Sequence, residues 1–225
     1  MRSDLRELAL GTLFPGFIGS FEPPDWVVRL AAEGLAGVVL FGRNVDPRRG
    51  DLGVAELTGQ LRAARPDLLV AIDEEGGDVT RLDAAQGSSL PGNAALGVID
   101  DVALTQRVAA ELGVRLRTCG IDVNFAPVAD VDADERNPVI GVRAFGPDTE
   151  LAARHVGAWV LGQQGQGVAA AAKHFPGHGG TEEDSHLTTP VLRDSLEDVR
   201  RHALPPFRSA IKAGVKVVMT AHIVV

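Results

Sequence analysis

The chain has 225 residues, of which 45% are hydrophobic, enough for one large domain with a substantial core. Its formal net charge is −8, which excludes the general affinity for nucleic acid or anionic membranes that clustered Lys and Arg provide. Cys119 is the only cysteine, so no disulfide forms within the chain. Asp4 and Glu7 interrupt the first segment, and no apolar run approaches the ~20 residues of a membrane span. These features predict a cytoplasmic protein.

Apolar runs and amphipathic segments alternate along the chain from its beginning. Residues 8–14 predict a first strand, and Pro23 and Pro24 then open an amphipathic helix. The further predicted strands are residues 37–41, 68–72, 120–125, 168–172 and 215–219. The further predicted helices are residues 52–64, 101–117, 149–164 and 194–212, the last of them interrupted at Pro205-Pro206.

Six apolar strands with helices between them predict parallel βαβ units. Several strands lead into polar or glycine-rich loops, which favours a (β/α)₈ TIM barrel over an open doubly wound sheet with its single switch point. A complete barrel usually takes about 250 residues, and this sequence ends inside or just after the sixth predicted strand. We therefore expect residues 1–225 to be the N-terminal part of a barrel domain, with about the first six βα units present and the C-terminal part missing.

The strongest chemical signal is residues 168–190, where small apolar residues lead into Lys173 and His174 and then into a glycine-rich loop. Burying a lysine directly after a strand costs free energy unless the ammonium group has a partner. The alternative is that Lys173 is an ordinary surface lysine. In the loop, Asp184 and His186 are two residues apart, so on an extended chain they share a face. A carboxylate that holds an imidazole raises its pKa and suits it to proton transfer near neutral pH. The alternative is a simple hydrogen bond within the loop.

Three of the histidines, His174, His178 and His186, fall within thirteen positions, which is also compatible with a zinc site. The spacing of the first two suits one face of a helix. The proline and glycines between positions 176 and 180 argue against a helix there. We therefore expect no metal site and no cofactor.

Two further clusters of polar residues follow predicted strands. Residues 73–81 (DEEGGDVTR) begin with three carboxylates, which repel one another unless a ligand or a cation uses them. Arg81 is the candidate for neutralising Asp73 internally, which is the alternative to a ligand site. Residues 137–146 (NPVIGVRAFG) place Arg143 in a glycine-punctuated loop, where it binds a ligand or is simply exposed.

Taken together, these motifs resemble glycoside hydrolase family 3 enzymes of the bacterial β-N-acetylglucosaminidase type, which act in peptidoglycan recycling. The specific part of the resemblance is KHFPGHG followed by DSH, within residues 173–186. The other matching segments occur in the expected order: FGRN (41–44), DEEGG with a later arginine (73–81), GIDVNFAPVADV (120–131), NPVIGVRAFG (137–146) and VMTAHI (218–223).

The resemblance implies a (β/α)₈ barrel that cleaves terminal β-linked N-acetylglucosamine from muropeptides or chitooligosaccharides. It also implies a retaining mechanism through a glycosyl-enzyme intermediate. His186 would be the general acid/base, paired with Asp184, instead of the usual two carboxylates. The residues implied for sugar binding are Asp73, Arg81, Arg143, Lys173 and His174.

The resemblance places the family's nucleophile, an aspartate, on the strand after residues 218–223, beyond Val225. Asp130 and Asp132 lie in a different loop, and we do not assign them this role. Two interpretations therefore rank first: a glycoside hydrolase (β-N-acetylhexosaminidase), or a catalytically incomplete sugar-binding barrel. A metal hydrolase that uses the histidine cluster is a third interpretation, and phosphorolysis in place of hydrolysis is a secondary possibility for the first.

Overall fold

The computed structural model describes residues 2–133, 136–181 and 190–224, with the side chains of the first helix described from Leu5 onward. The strands in this part of the chain are β1 (Gly37–Leu40), β2 (Leu69–Ile72), β3 (Val123–Asn124), β4 (Ala169–Phe175) and β5 (Val217–Thr220). The α-helices are α1 (Arg2–Leu10), α2 (Asp25–Ala32), α3 (Gly50–Ala64), α4 (Asn93–Ile99), α5 (Val102–Thr118), α6 (Thr149–Gln164), α7 (Leu196–Asp198) and α8 (Leu204–Lys212).

The five described strands form one parallel sheet in the order β1-β2-β3-β4-β5. Each strand therefore pairs with the next one along the chain, and the order does not reverse within the described strands. A doubly wound sheet reverses its order at a switch point, whereas a (β/α)₈ barrel does not. The predicted barrel class is confirmed, and the described strands form an open part of such a barrel.

The position predicted for the first strand, residues 8–14, is wrong. Residues Arg2–Leu10 form α1, because this segment consists mainly of strong helix formers. The extended pairing begins only after the helix has ended, where Gly16 forms a single parallel bridge with Val39 of β1. The other predicted strands lie within a few residues of those observed.

The last predicted helix, residues 194–212, is observed as one continuous helical segment in which the type of helix changes. The chain passes from α7 through a π-helical turn, Val199–Ala203, into α8. Pro205 and Pro206 supply no backbone N–H and lie directly after the π-helical turn, where the helical hydrogen-bond pattern changes. The short helix α4 was not predicted from the sequence.

Side chains alternate between the two faces of the sheet, as the period of two in a strand requires. Val38, Leu40, Val70 and Ile72 belong to the main hydrophobic core, together with the helices. Val39, Ala71 and Val123 form a second cluster, which Phe14, Phe41, Phe125, Ala169 and Val217 extend. The second cluster fills the inner, barrel side of the sheet, and the polar strand ends lie beyond it. None of the helices in the described ranges combines the length and apolar character that a membrane crossing needs.

Helices α5 and α6 approach closely through small residues. A Cβ placed on Gly162 of α6 would lie 2.2 Å from the carbonyl oxygen of Gln106 in α5. In contrast, a Cβ on the exposed Gly59 of α3 would meet no atom within 4 Å. Packing between these two helices therefore depends on the missing side chain at position 162.

We predict opposite effects for the same substitution at these two helical glycines. Gly59→Ala should raise the free energy of unfolding by about 0.5–1 kcal/mol, because alanine is the better helix former. Gly162→Ala should lower it by about 1–3 kcal/mol, because the new methyl group pushes α5 and α6 apart. Urea unfolding followed by circular dichroism measures both variants. Equal stabilisation by the two substitutions would contradict the packing described.

Candidate active site

A cavity of about 340 Å³ opens at the carboxyl ends of the strands. Loops after β2, β4 and β5 and the segment around Arg143 supply its walls. All five residues predicted for ligand binding line it: Asp73, Arg81, Arg143, Lys173 and His174. Three separate parts of the sequence therefore supply the predicted residues of one cavity, although the roles of these residues in binding stay predictions.

Lys173 lies on β4 with only 2% of its side chain exposed. Its Nζ atom is 2.6 Å from Oδ1 of Asp73 and 2.6 Å from Oε1 of Glu75. A buried ammonium group requires such partners, because burial without them costs several kcal/mol. The prediction that Lys173 needs a partner is confirmed, and the alternative of an exposed surface lysine is wrong. The cation paired with Asp73 is therefore Lys173, and not Arg81 as in the alternative interpretation.

Glu75 joins Lys173 to Arg143. Nε and Nη2 of Arg143 donate to the two carboxylate oxygens of Glu75 at 3.0 and 2.8 Å. Burial by itself would raise the pKa of Glu75, but the charges of Lys173 and Arg143 outweigh burial and lower the pKa to about 2. Glu75 is therefore ionised at neutral pH, and two carboxylates balance two cations in this cluster.

Two further hydrogen bonds fix the position of Arg143. Its Nη1 donates to the carbonyl oxygen of Val139 at 3.0 Å, and its own carbonyl oxygen accepts a hydrogen bond of 2.7 Å from Nδ2 of Asn93. Asn93 is buried at the start of α4. The alternative that Arg143 is simply exposed is therefore wrong.

Asp130 orients His174. Its Oδ2 lies 2.7 Å from Nδ1 of His174, and its Oδ1 accepts a hydrogen bond of 2.7 Å from the backbone N–H of His178. Burial would raise the pKa of Asp130, but the hydrogen bond and charge of His174 lower it overall. Because Nδ1 of His174 is committed to Asp130, Nε2 is the ring nitrogen left for a ligand.

Glu74 points away from the cluster formed by its two neighbours. Its Oε2 accepts backbone hydrogen bonds from Arg81 and Leu82 at 2.7 and 3.0 Å, which fixes the loop that carries Arg81. Burial raises the pKa of Glu74 in spite of these hydrogen bonds. Of the three consecutive carboxylates at 73–75, Asp73 and Glu75 therefore share the ammonium group of Lys173, whereas Glu74 is held by backbone N–H groups.

Glu75, Asp130 and His178 were not predicted from the sequence as residues of a ligand-binding site. The period of two along an extended chain was a usable signal for Glu75, because it puts Glu75 on the same side as Asp73. Asp130 also follows a predicted strand, but it was considered only as a nucleophile. His178 was considered only as a metal ligand.

Asp184 and His186, the predicted acid/base pair, lie outside the described residues, so their roles stay predictions. Within residues 2–133, 136–181 and 190–224, no group of three His, Cys, Asp or Glu side chains is placed to hold a metal ion. His174 and His178 are edge-to-face neighbours, with ring centroids 6.2 Å apart. Nδ1 of each ring already has a partner, Asp130 or Thr181.

Comparison with known proteins gives a family match over most of the chain. Residues 25–225 match the model of the glycosyl hydrolase family 3 N-terminal domain. A β-hexosaminidase of Pseudomonas aeruginosa is 40% identical over 196 residues, which cover 84% of this chain and 56% of that protein. A β-hexosaminidase of Nitrosomonas eutropha is 36% identical over 222 residues, covering 96% of this chain and 62% of that protein. The chain thus spans little more than half the length of these relatives.

Solved structures show the same relationship. A glycoside hydrolase family 3 β-N-acetylglucosaminidase from Paenibacillus sp. FPU-7 superposes with a TM-score of 0.91 at 41% identity, covering 98% of this chain and 42% of that one. NagZ from Neisseria gonorrhoeae, in complex with N-trifluoroacetyl-D-glucosamine, superposes with a TM-score of 0.83 at 33% identity. This second match covers 94% of the chain and 62% of the neighbour.

We predict that Glu75→Gln destabilises the protein in a pH-dependent way. The pKa of Glu75 is near 4.5 when unfolded and about 2 when folded, so its ionisation contributes about 3 kcal/mol. This contribution is fully present above pH 5 and is lost as the pH falls through 4.5 towards 2. The difference in unfolding free energy between the wild type and Glu75→Gln should therefore shrink over the same interval.

Urea titrations at several pH values between 2 and 7 measure this difference. Glu56→Gln is the matched control, because Glu56 of α3 forms an exposed ion pair with Arg49 and should contribute little. A difference for Glu75→Gln that stays constant from pH 7 to pH 2 would contradict the assignment of Glu75 as a buried, ionised partner of Lys173 and Arg143.

Proposed function

The chain belongs to glycosyl hydrolase family 3, and on that premise we propose that the protein is a retaining exo-β-N-acetylglucosaminidase. It would remove terminal β-linked N-acetylglucosamine from a carbohydrate chain through a glycosyl-enzyme intermediate. The observation that carries the proposal is the convergence of Asp73, Arg81, Arg143, Lys173 and His174 on one cavity.

The size and lining of the cavity support a single sugar ring as its ligand. Its volume of about 340 Å³ is at the small end of the range for ligand pockets, which is about 300–1,000 Å³. Its walls combine charged and polar groups with the apolar side chains of Val79, Val139 and Met219. A pyranose ring presents hydroxyl groups at its edge and C–H groups on its faces, which matches such a mixed lining.

The paired charges support recognition of a neutral sugar. Asp73 and Glu75 balance Lys173 and Arg143, so these four residues carry no net charge between them. Asp73 keeps 22% of its side chain exposed and is the member most open to the cavity. Its carboxylate suits hydrogen bonds from sugar hydroxyl groups, which are strong when the acceptor is charged.

In the mechanism that we propose, His186 protonates the leaving oxygen and later deprotonates the water that hydrolyses the intermediate. Asp184 orients His186 and favours its charged form. The attacking carboxylate is the family's aspartate, to which no residue of this chain is assigned. A cationic or neutral acid/base also tolerates an anionic acceptor, so phosphorolysis is the secondary form of this proposal.

The proposed substrates are muropeptides of peptidoglycan recycling or chitooligosaccharides, both of which carry N-acetylglucosamine. The proposal includes a cytoplasmic location, where turnover products of the cell wall would be recycled. The buried, unpaired thiol of Cys119 is compatible with a reducing compartment. Product analysis with and without phosphate distinguishes hydrolysis from phosphorolysis.

We predict that His186→Ala in the native full-length protein lowers turnover about 10²–10⁴-fold, the usual contribution of a general acid/base. The loss should be larger for a methylumbelliferyl or alkyl N-acetyl-β-glucosaminide than for a dinitrophenyl one, because a poor leaving group depends more on protonation. Rates of aglycone release with these three substrates provide the measurement.

His202→Ala is the matched control, since His202 is exposed and does not line the cavity. An equal loss for all leaving groups would contradict the acid role of His186. Binding of N-acetylglucosamine by the wild type with no turnover of any glycoside would favour the alternative of a sugar-binding barrel.

A further inference from the structure

Three buried side-chain atoms among the described residues have no hydrogen-bond partner: Nε of Arg81, Oδ1 of Asn93 and Nε2 of His178. Arg81 and His178 both line the cavity at the strand ends. Leaving a buried polar atom unpaired is unfavourable, so such atoms require an explanation. A ligand in the cavity is the simplest source of the missing partners of Arg81 and His178.

Hydrogen bonds fix both the backbone and the imidazole ring of His178, so the ring cannot rotate towards another partner. Only 2% of the residue is exposed. Its backbone N–H donates to Asp130 at 2.7 Å, and its carbonyl oxygen accepts a hydrogen bond of 2.8 Å from Nδ2 of Asn137. Its Nδ1 lies 2.8 Å from Oγ1 of Thr181. Rotation of the imidazole would break this last contact and leave Nδ1 unpaired instead.

The contact with Thr181 limits what Nε2 of His178 can do. The single hydroxyl proton of Thr181 points either to the carbonyl oxygen of His178, 3.0 Å away, or to Nδ1. In the first case Nδ1 carries the ring proton and Nε2 is an acceptor, whereas in the second case Nε2–H is a donor. A hydroxyl group both donates and accepts, so a sugar hydroxyl satisfies Nε2 in either tautomer.

We propose that His178 is a further substrate-binding residue, whose Nε2 forms a hydrogen bond with a hydroxyl group of the N-acetylglucosamine in the cavity. The inference rests on the proposed function, because it takes this sugar as the ligand. The neighbouring ring of His174 is 6.2 Å away and nearly perpendicular. The two histidines thus form one wall and contact adjacent parts of the same sugar.

Two substitutions separate the two nitrogens of His178. The amide nitrogen of asparagine reaches about as far as Nδ1, and that of glutamine about as far as Nε2. His178→Asn should therefore keep the contact with Thr181 and a melting temperature near that of the wild type, but bind N-acetylglucosamine at least about tenfold more weakly. His178→Gln should show the reverse, with near-normal affinity and a lower melting temperature.

Calorimetric titration with N-acetylglucosamine and thermal unfolding of the full-length protein measure both properties. His202→Asn is the control, and it should change neither. Wild-type affinity in His178→Asn would overturn the inference, as would a parallel loss of affinity and stability in both variants, which indicates a purely structural residue. If the wild type itself does not bind N-acetylglucosamine, the proposed function fails, and this inference fails with it.

Discussion

Burial of the Lys173 ammonium group is the constraint on which the geometry of the site depends. An alanine-rich strand carries this side chain into the interior, where 2% of it remains exposed. An isolated charge there would be strongly destabilising, so Asp73 and Glu75 must both approach it. Their two negative charges then require a second cation, and Arg143 supplies it. One buried lysine thereby ties β2, β4 and the segment before α6 into a single arrangement.

The sequence was sufficient to predict the residues at the strand ends, because parallel strands deliver their carboxyl ends to one side of a barrel. Asp73, Lys173 and His174 each follow, or end, an apolar run that is typical of a strand, whereas Arg143 was selected from a glycine-punctuated loop. The ion pairs between these residues could not be predicted from the sequence. Lys173 and Asp73 are 100 positions apart, and only the parallel register of the sheet brings them together.

Other features of the fold could not be predicted from the sequence, for reasons that are local to each segment. The run at residues 8–14 is apolar enough for a strand, yet its first residues belong to a helix, since helix propensity along α1 outweighs a short hydrophobic pattern. The segment around Arg143 forms only a 3₁₀ turn, Gly141–Arg143, and Asn93 and Gly97 of α4 contact its backbone at Arg143 and Phe145. Asp130 and His178 form a layer behind His174, and this layer exists only once the loops after β3 and β4 have packed together.

A crystal structure of the full-length protein with N-acetylglucosamine tests most directly whether these strand ends form a pocket for one ring of this sugar. We predict that the ring lies in the cavity, with hydroxyl groups within roughly 3.2 Å of Asp73 and of Nε2 of His174. The Lys173–Glu75–Arg143 cluster should be unchanged. A sugar bound elsewhere, or a cavity without sugar at a saturating concentration, would contradict the account.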